Sequence, residues 1–155
     1  MTERNPKPLG LYLHIPFCHA RCGYCDFVTF TGKEDKIDQY VETARAADYD
    51  AIILPGGCWN PDFLRADKNA HAFVQAMNRS GKPVCGICHG PWVLVSAGLL
   101  KGKKATAVWN IHVDLANAGA TVIDEPVVVD GNLITSRFPY DLPRLIDALV
   151  KQLVG

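Results

Sequence analysis

The sequence has no excess of charge, with 16 lysines and arginines against 16 aspartates and glutamates. Nor has it a basic run longer than Lys101-Gly102-Lys103-Lys104, so the electrostatic footprint of a protein that binds nucleic acid or an anionic membrane is missing. No apolar run approaches the roughly 20 residues of a membrane-spanning helix. The apolar stretch from Leu9 is short and interrupted by His14, Pro16 and Cys18, unlike an export signal. These absences predict a cytoplasmic protein with neither nucleic-acid nor membrane partners. Repeats and low-complexity linkers are missing as well, and 155 residues suffice for one ordinary domain but not comfortably for two. Disulfides are rare in a reducing compartment, so the six cysteines read as ligands, nucleophiles or small buried apolar groups.

The cysteines divide unevenly along the chain. Cys18, Cys22 and Cys25 crowd together, Cys58 stands alone, and Cys85 and Cys88 form a pair. From Asp48 onward short β-rich runs alternate with amphipathic helical stretches, the pattern of an α/β protein with a mostly parallel sheet. The spacing predicts strands at 51–54, 83–87, 105–109, 121–123, 127–129 and 133–135, with a hairpin turn at Asp130-Gly131. Helices are predicted at 62–79, 91–97, 113–118 and 142–153. In the first of these Phe63, Ala66, Ala70, Phe73, Val74 and Met77 share one face. Gly81, Gly98 and Gly119 stand where helices should stop. Upstream, residues 11–15 and 27–30 read as strands around a Cys-rich loop, and 34–47 as a helix.

Chemistry concentrates between Gly81 and Trp92. A buried strand ends at Ile87, Cys88 follows, and Pro91 opens a helix at the position proline favours. A cysteine on such a turn meets helix N–H groups, which favour thiolate and would hold a developing oxyanion. This is the geometry of a nucleophile elbow with sulfur in place of oxygen. His89 follows at once as a candidate base. The turn Leu54-Pro55-Gly56-Gly57 ends the preceding strand, and in an open parallel sheet adjacent strand ends converge on one crevice. Cys58 falls at its mouth, whereas Cys85, on the strand itself, reads as buried core and not as a redox partner of Cys88. His71 and His112 read as packing or surface residues.

These residues carry a resemblance. From about Tyr49 to Leu153 the chain resembles the PfpI family of the ThiJ/PfpI superfamily, which holds intracellular cysteine peptidases and glyoxalase- or deglycase-like stress proteins. The matching stretches include residues 48–57, Asn60-Pro61-Asp62-Phe63-Leu64-Arg65, Ile87-Cys88-His89-Gly90-Pro91-Trp92, 97–102, 114–119 and 124–137. The resemblance implies a flavodoxin-like, class I glutamine amidotransferase-like three-layer α/β sandwich with a mostly parallel sheet, lacking the family's usual first strand-helix-strand unit. It implies Cys88 as nucleophile, His89 as base, Gly57 and His89 as donors of oxyanion N–H groups, and Asp62 as the acid that orients His89. In the family that acid comes from a neighbouring subunit, so a homo-oligomer is implied. The family's glutamate against the nucleophilic sulfur has no match upstream, where Asp26 is the nearest loop carboxylate.

A second resemblance covers residues 9–42. Leu11-Tyr12-Leu13-His14-Ile15-Pro16-Phe17-Cys18, with Cys22-Gly23-Tyr24-Cys25, is similar to the amino terminus of radical S-adenosylmethionine enzymes of the HemN and HemW group. There Cys18, Cys22 and Cys25 would each bind one iron of a [4Fe–4S] cluster. The likeness stops near Glu42, before the units that would enclose the cluster, which argues against radical chemistry. The expectation is therefore a head over 1–47 on a PfpI-like domain over 48–155. Its expected function is that of a cysteine-dependent hydrolase or lyase for peptides or small carbonyl adducts, needing no cofactor. Two alternatives stand beside it, an iron–sulfur or metal-binding module and a non-catalytic fusion remnant or scaffold.

Overall fold

A computed structural model describes residues 44–154. Its elements, in chain order, are β1 (Ile52–Leu54), α1 (Trp59–Leu64), α2 (Lys68–Arg79), β2 (Val84–Ile87), α3 (Pro91–Ser96) and β3 (Lys104–Ala105). They continue with α4 (His112–Asn117), β4 (Thr121–Val122), β5 (Val127–Asp130), β6 (Leu133–Ser136) and α5 (Leu142–Val154). The main sheet runs β1-β2-β6-β5. Its first three strands are parallel, with Leu54 beside Gly86 and Gly86 beside Thr135. β5 returns antiparallel to β6 through the tight turn after Asp130, where Gly131 takes φ +64°. β3 and β4 form a separate parallel pair.

Both faces of the sheet are covered, which is why its strands read as continuous apolar runs. Ile52, Leu54, Val84 and Leu133 pack with Ala70, Phe73, Val74 and Met77 of α2, with α3, and with Leu115 of α4. The alternate residues Ala51, Cys85, Ile87 and Ile134 turn the other way, onto Leu145 and Leu149 of α5. A one-residue slip of β2 would exchange these faces, so burial on both sides pins its register. Among the described residues no helix is long and apolar enough to cross a membrane.

Three expectations need correction. The described end of the helix expected at 34–47 is not helical: Arg45 is extended and a 3-10 turn runs over Ala46–Asp48. The single helix expected at 62–79 is two helices. Asp67 adopts extended backbone and its carboxylate accepts the Asn69 N–H at 2.7 Å, capping α2 as aspartate does at a helix N-terminus. The face drawn through Phe63 and Ala66 therefore does not continue, and Phe63 is 48% exposed. The strand expected at 105–109 ends at Ala105, because Val108 turns its N–H to the Cys88 carbonyl and a 3-10 turn begins at Trp109. Gly81, Gly98 and Gly119 do sit past helix ends at positive φ.

Candidate active site

The site is assembled where β1 and β2 end side by side. Cys88 follows the last residue of β2 at φ +60°, the one described non-glycine residue with positive φ. A side chain pays for that backbone through contact of Cβ with its own main chain. The cost is borne because both backbone groups are tied. The Cys88 N–H donates to the Ser136 carbonyl at 3.0 Å, and its carbonyl accepts from Val108 at 3.2 Å. The Gly90 N–H closes the turn onto the Ile87 carbonyl at 2.8 Å, and Pro91 starts α3.

Two glycines make room for this turn. A methyl on Gly90 would run into the Leu54 carbonyl. One on Gly56 would stand 2.6 Å from Cys88 Cβ and 3.2 Å from its sulfur. The turn after β1 and the turn after β2 are thus in direct contact.

Cys88 Sγ lies 3.3 Å from Nδ1 of His89, and the backbone N–H groups of Gly57 and His89 face the sulfur. Burial pushes the Cys88 thiol up, the two N–H groups pull it back, and the nearby Cys58 thiol adds to the upward push. The net direction is upward. Helix α3 spans six residues, and with burial the largest influence on Cys88 the thiolate expected from the turn alone is not favoured at rest. Burial also pushes His89 down, leaving it neutral and able to accept a proton.

Gly57 and His89 therefore stand against the nucleophile. Asp62 lies on the exposed side of α1, and no hydrogen bond joins it to His89 among the described residues. Cys18, Cys22, Cys25 and Asp26, with the whole HemN-like stretch, lie outside the described residues. Among those described, no group of three or more His, Cys, Asp or Glu side chains is arranged to hold a metal ion. Cys58, Cys85 and Cys88 are free thiols. Cys85 faces α5 and burial pushes it up to about 12. His71 and His112 each bond a main-chain carbonyl, at Arg65 and Ala107.

Sequence reasoning missed the support of His89. Trp92 meets the imidazole edge to face, with ring centroids 5.0 Å apart. Its indole N–H donates to Asp114 at 2.7 Å, and the Arg65 guanidinium lies 4.9 Å over the ring. Trp92 was inside the matched motif, but its partners come from α4 and from just after α1, with no local signal to join them.

A family profile described as the DJ-1/PfpI family matches residues 25–152. That match begins upstream of Asp48, inside the stretch compared above with HemN and HemW. The Staphylococcus aureus (strain Mu50) protein SAV1875 is 44% identical over 124 residues, covering 79% of this chain and 72% of the relative. A Bacillus subtilis protein bearing the name "Putative cysteine protease YraA" is 48% identical over 111 residues, 72% of this chain and 65% of its own. Among solved structures, the DJ-1/ThiJ/PfpI-like and ferritin-like two-domain protein of Anabaena variabilis superposes with TM-score 0.71 at 46% identity. That superposition covers 73% of this chain and 32% of the Anabaena chain. DJ-1beta of Drosophila melanogaster gives TM-score 0.67 at 27% identity, over 77% and 62%. With the flavodoxin-like sheet and the elbow cysteine in place, the chain belongs to the DJ-1/PfpI family.

Proposed function

We propose that this protein is a cysteine-dependent hydrolase or lyase of the PfpI type, acting on peptides or on small carbonyl adducts. One observation carries the reading: a cysteine held at positive φ between β2 and α3, with an imidazole nitrogen 3.3 Å from its sulfur and two backbone N–H groups aimed at the same atom. Sulfur attacks an electrophilic carbonyl carbon while Nδ1 of His89 takes the thiol proton. The C–S bond forms as the carbonyl electron pair moves onto oxygen, and the N–H groups of Gly57 and His89 lie close enough to receive that oxyanion. His89 then returns the proton to the leaving group as its bond to carbon breaks. Water, deprotonated by His89, attacks the thioester carbon so that the C–S bond breaks and the thiol is restored.

A neutral His89 suits this cycle, since an imidazolium could not accept the proton. Asp62 enters through a second copy of the chain. An aspartate on an exposed helix face orients a neighbour's imidazole only across an interface, so the active form is a homodimer or larger assembly. The exposed Trp59 and Phe63 flanking Asp62 on α1, 51% and 48% accessible, fit a surface that meets another copy. The test is turnover of methylglyoxal and of a fluorogenic peptide by purified protein and by Cys88→Ala. The variant should lose at least about 100-fold in kcat/KM on whichever substrate the protein accepts. Equal rates in the two proteins would end this reading.

A further inference from the structure

Cys58 has no part in the reaction above, yet its thiol is close enough to Cys88 to act on its charge. It is an exposed free thiol, and it directly follows Gly57, whose N–H reaches the Cys88 sulfur. The turn it belongs to touches the nucleophile at Gly56, from which an added methyl would lie 3.2 Å from Sγ. Gly57 takes φ +88°, so Cys58 is carried on a glycine whose backbone no side chain restricts. Cys85 is three residues from Cys88 but faces α5 on the far side of β2, out of reach of the crevice.

We propose that Cys58 and Cys88 form a redox pair in which Cys58 converts an oxidised Cys88 into an intramolecular disulfide. The oxidant is a hydroperoxide. Cys88 sulfur attacks one peroxide oxygen, the O–O bond breaks, and the other oxygen leaves as water or alcohol with the thiol proton, giving the sulfenic acid. Cys58 sulfur then attacks Cys88 sulfur. The S–S bond forms as the S–O bond breaks, and hydroxide departs with the Cys58 proton as water. An external thiol reductant restores both groups. The Cys58 thiol is near enough to Cys88 to act on its charge, and closure needs the two Cα atoms within about 4.4–6.8 Å. The disulfide blocks the nucleophile reversibly and spares it the irreversible sulfinic acid. The pair rests on the reading of Cys88 as the reactive thiol.

The full chain is treated with graded hydrogen peroxide, its remaining thiols are alkylated, and tryptic peptides are analysed by mass spectrometry. Residues 46–65 should appear joined to residues 80–101, with fragmentation placing the bond at Cys88, and dithiothreitol should release it. In Cys58→Ser the same peroxide dose should leave Cys88 carrying two added oxygens that dithiothreitol does not remove. The proposal is overturned if Cys88 gains oxygens equally in both proteins, links to another cysteine, or stays a free thiol. Alkylation rate and turnover before peroxide judge the catalytic reading separately. A Cys88 that turns over substrate but never joins Cys58 sinks the redox pair alone.

Discussion

Gly56 offers the sharpest test of whether the position of Cys88 matters, because its backbone is compatible with alanine and only the contact is not. An alanine Cβ there would stand 2.6 Å from Cys88 Cβ, whereas ordinary contact begins near 3.4 Å. Relief requires the two turns to part by 3.4 − 2.6 = 0.8 Å, and Cys88 is held in place by its bonds to Ser136 and Val108. Misplacing a reacting group by about 1 Å costs on the order of 100-fold, or about 2.7 kcal/mol of barrier. Overpacking adds about 1–3 kcal/mol of lost stability. Gly56→Ala should therefore lose about 100-fold in kcat/KM, measured on folded protein with circular dichroism and a thermal melt as controls. Gly81→Ala is the companion, since Gly81 has φ +69° and open space around it. It should lose about 1 kcal/mol of stability through its backbone while keeping its turnover. A Gly56→Ala protein that folds and turns over like the wild type refutes the argument that the glycine positions the nucleophile.

Three further outcomes follow from the same geometry. Because burial raises the Cys88 thiol, its iodoacetamide alkylation rate should climb with pH past the free-cysteine value of about 8.5; a plateau in the acidic range, as from a thiolate–imidazolium pair, would contradict this. Burial holds the Cys85 thiol up to about 12, so folding favours its neutral form. Its contribution is whole below the unfolded value and is lost as pH rises toward 12, by about 3 kcal/mol at pH 11. The difference in unfolding free energy between wild type and Cys85→Ala should shrink by that amount between pH 8 and pH 11, and a pH-independent difference would exclude it. Asp67→Ala should cost about 1 kcal/mol by removing the cap of α2, read from urea unfolding with turnover unchanged, and an unaltered midpoint would show the cap to be idle.

Much of the fold was legible because its signals are local. β2 and β6 are buried on both faces and read as short apolar runs between turn residues, and Asp130-Gly131 announces the hairpin that joins β5 to β6. The break between α1 and α2 was hidden because Phe63, Ala66 and Ala70 continue the helical spacing across it. What interrupts them is a hydrogen bond from the Asn69 backbone to Asp67, a choice of one aspartate conformation that hydrophobic periodicity does not record. The loss of the strand expected beyond Ala105 has a tertiary cause. Val108 is taken by the Cys88 carbonyl, a partner twenty residues earlier in the chain.

The candidate site divides along the same line. Cys88, His89 and Pro91 are consecutive or nearly so, and a strand, a sharp turn and a helix start are enough to place a thiol, a base and N–H groups together. Depth is different. A helix start argues for a low thiol pKa and burial for a high one, and burial is the largest influence on Cys88, which packs against core clusters on both sides of the sheet. The outcome depends on how much protein surrounds the sulfur, which no run of seven residues contains. Trp92 and Asp114, 22 residues apart, are likewise joined only by the packing of α3 on α4. Under the proposed reading even the folded chain is insufficient for Asp62, whose carboxylate is exposed on α1 and would have to meet the His89 of a second copy. An Asp62→Asn protein mixed with Cys88→Ala should then recover activity. In a symmetric dimer, exchange of subunits creates one site holding both Cys88 and Asp62, and about a quarter of all sites regain the complete set by simple statistics of random pairing. Two inactive variants that stay inactive after subunit exchange, verified by size and by mass, would place the acid elsewhere.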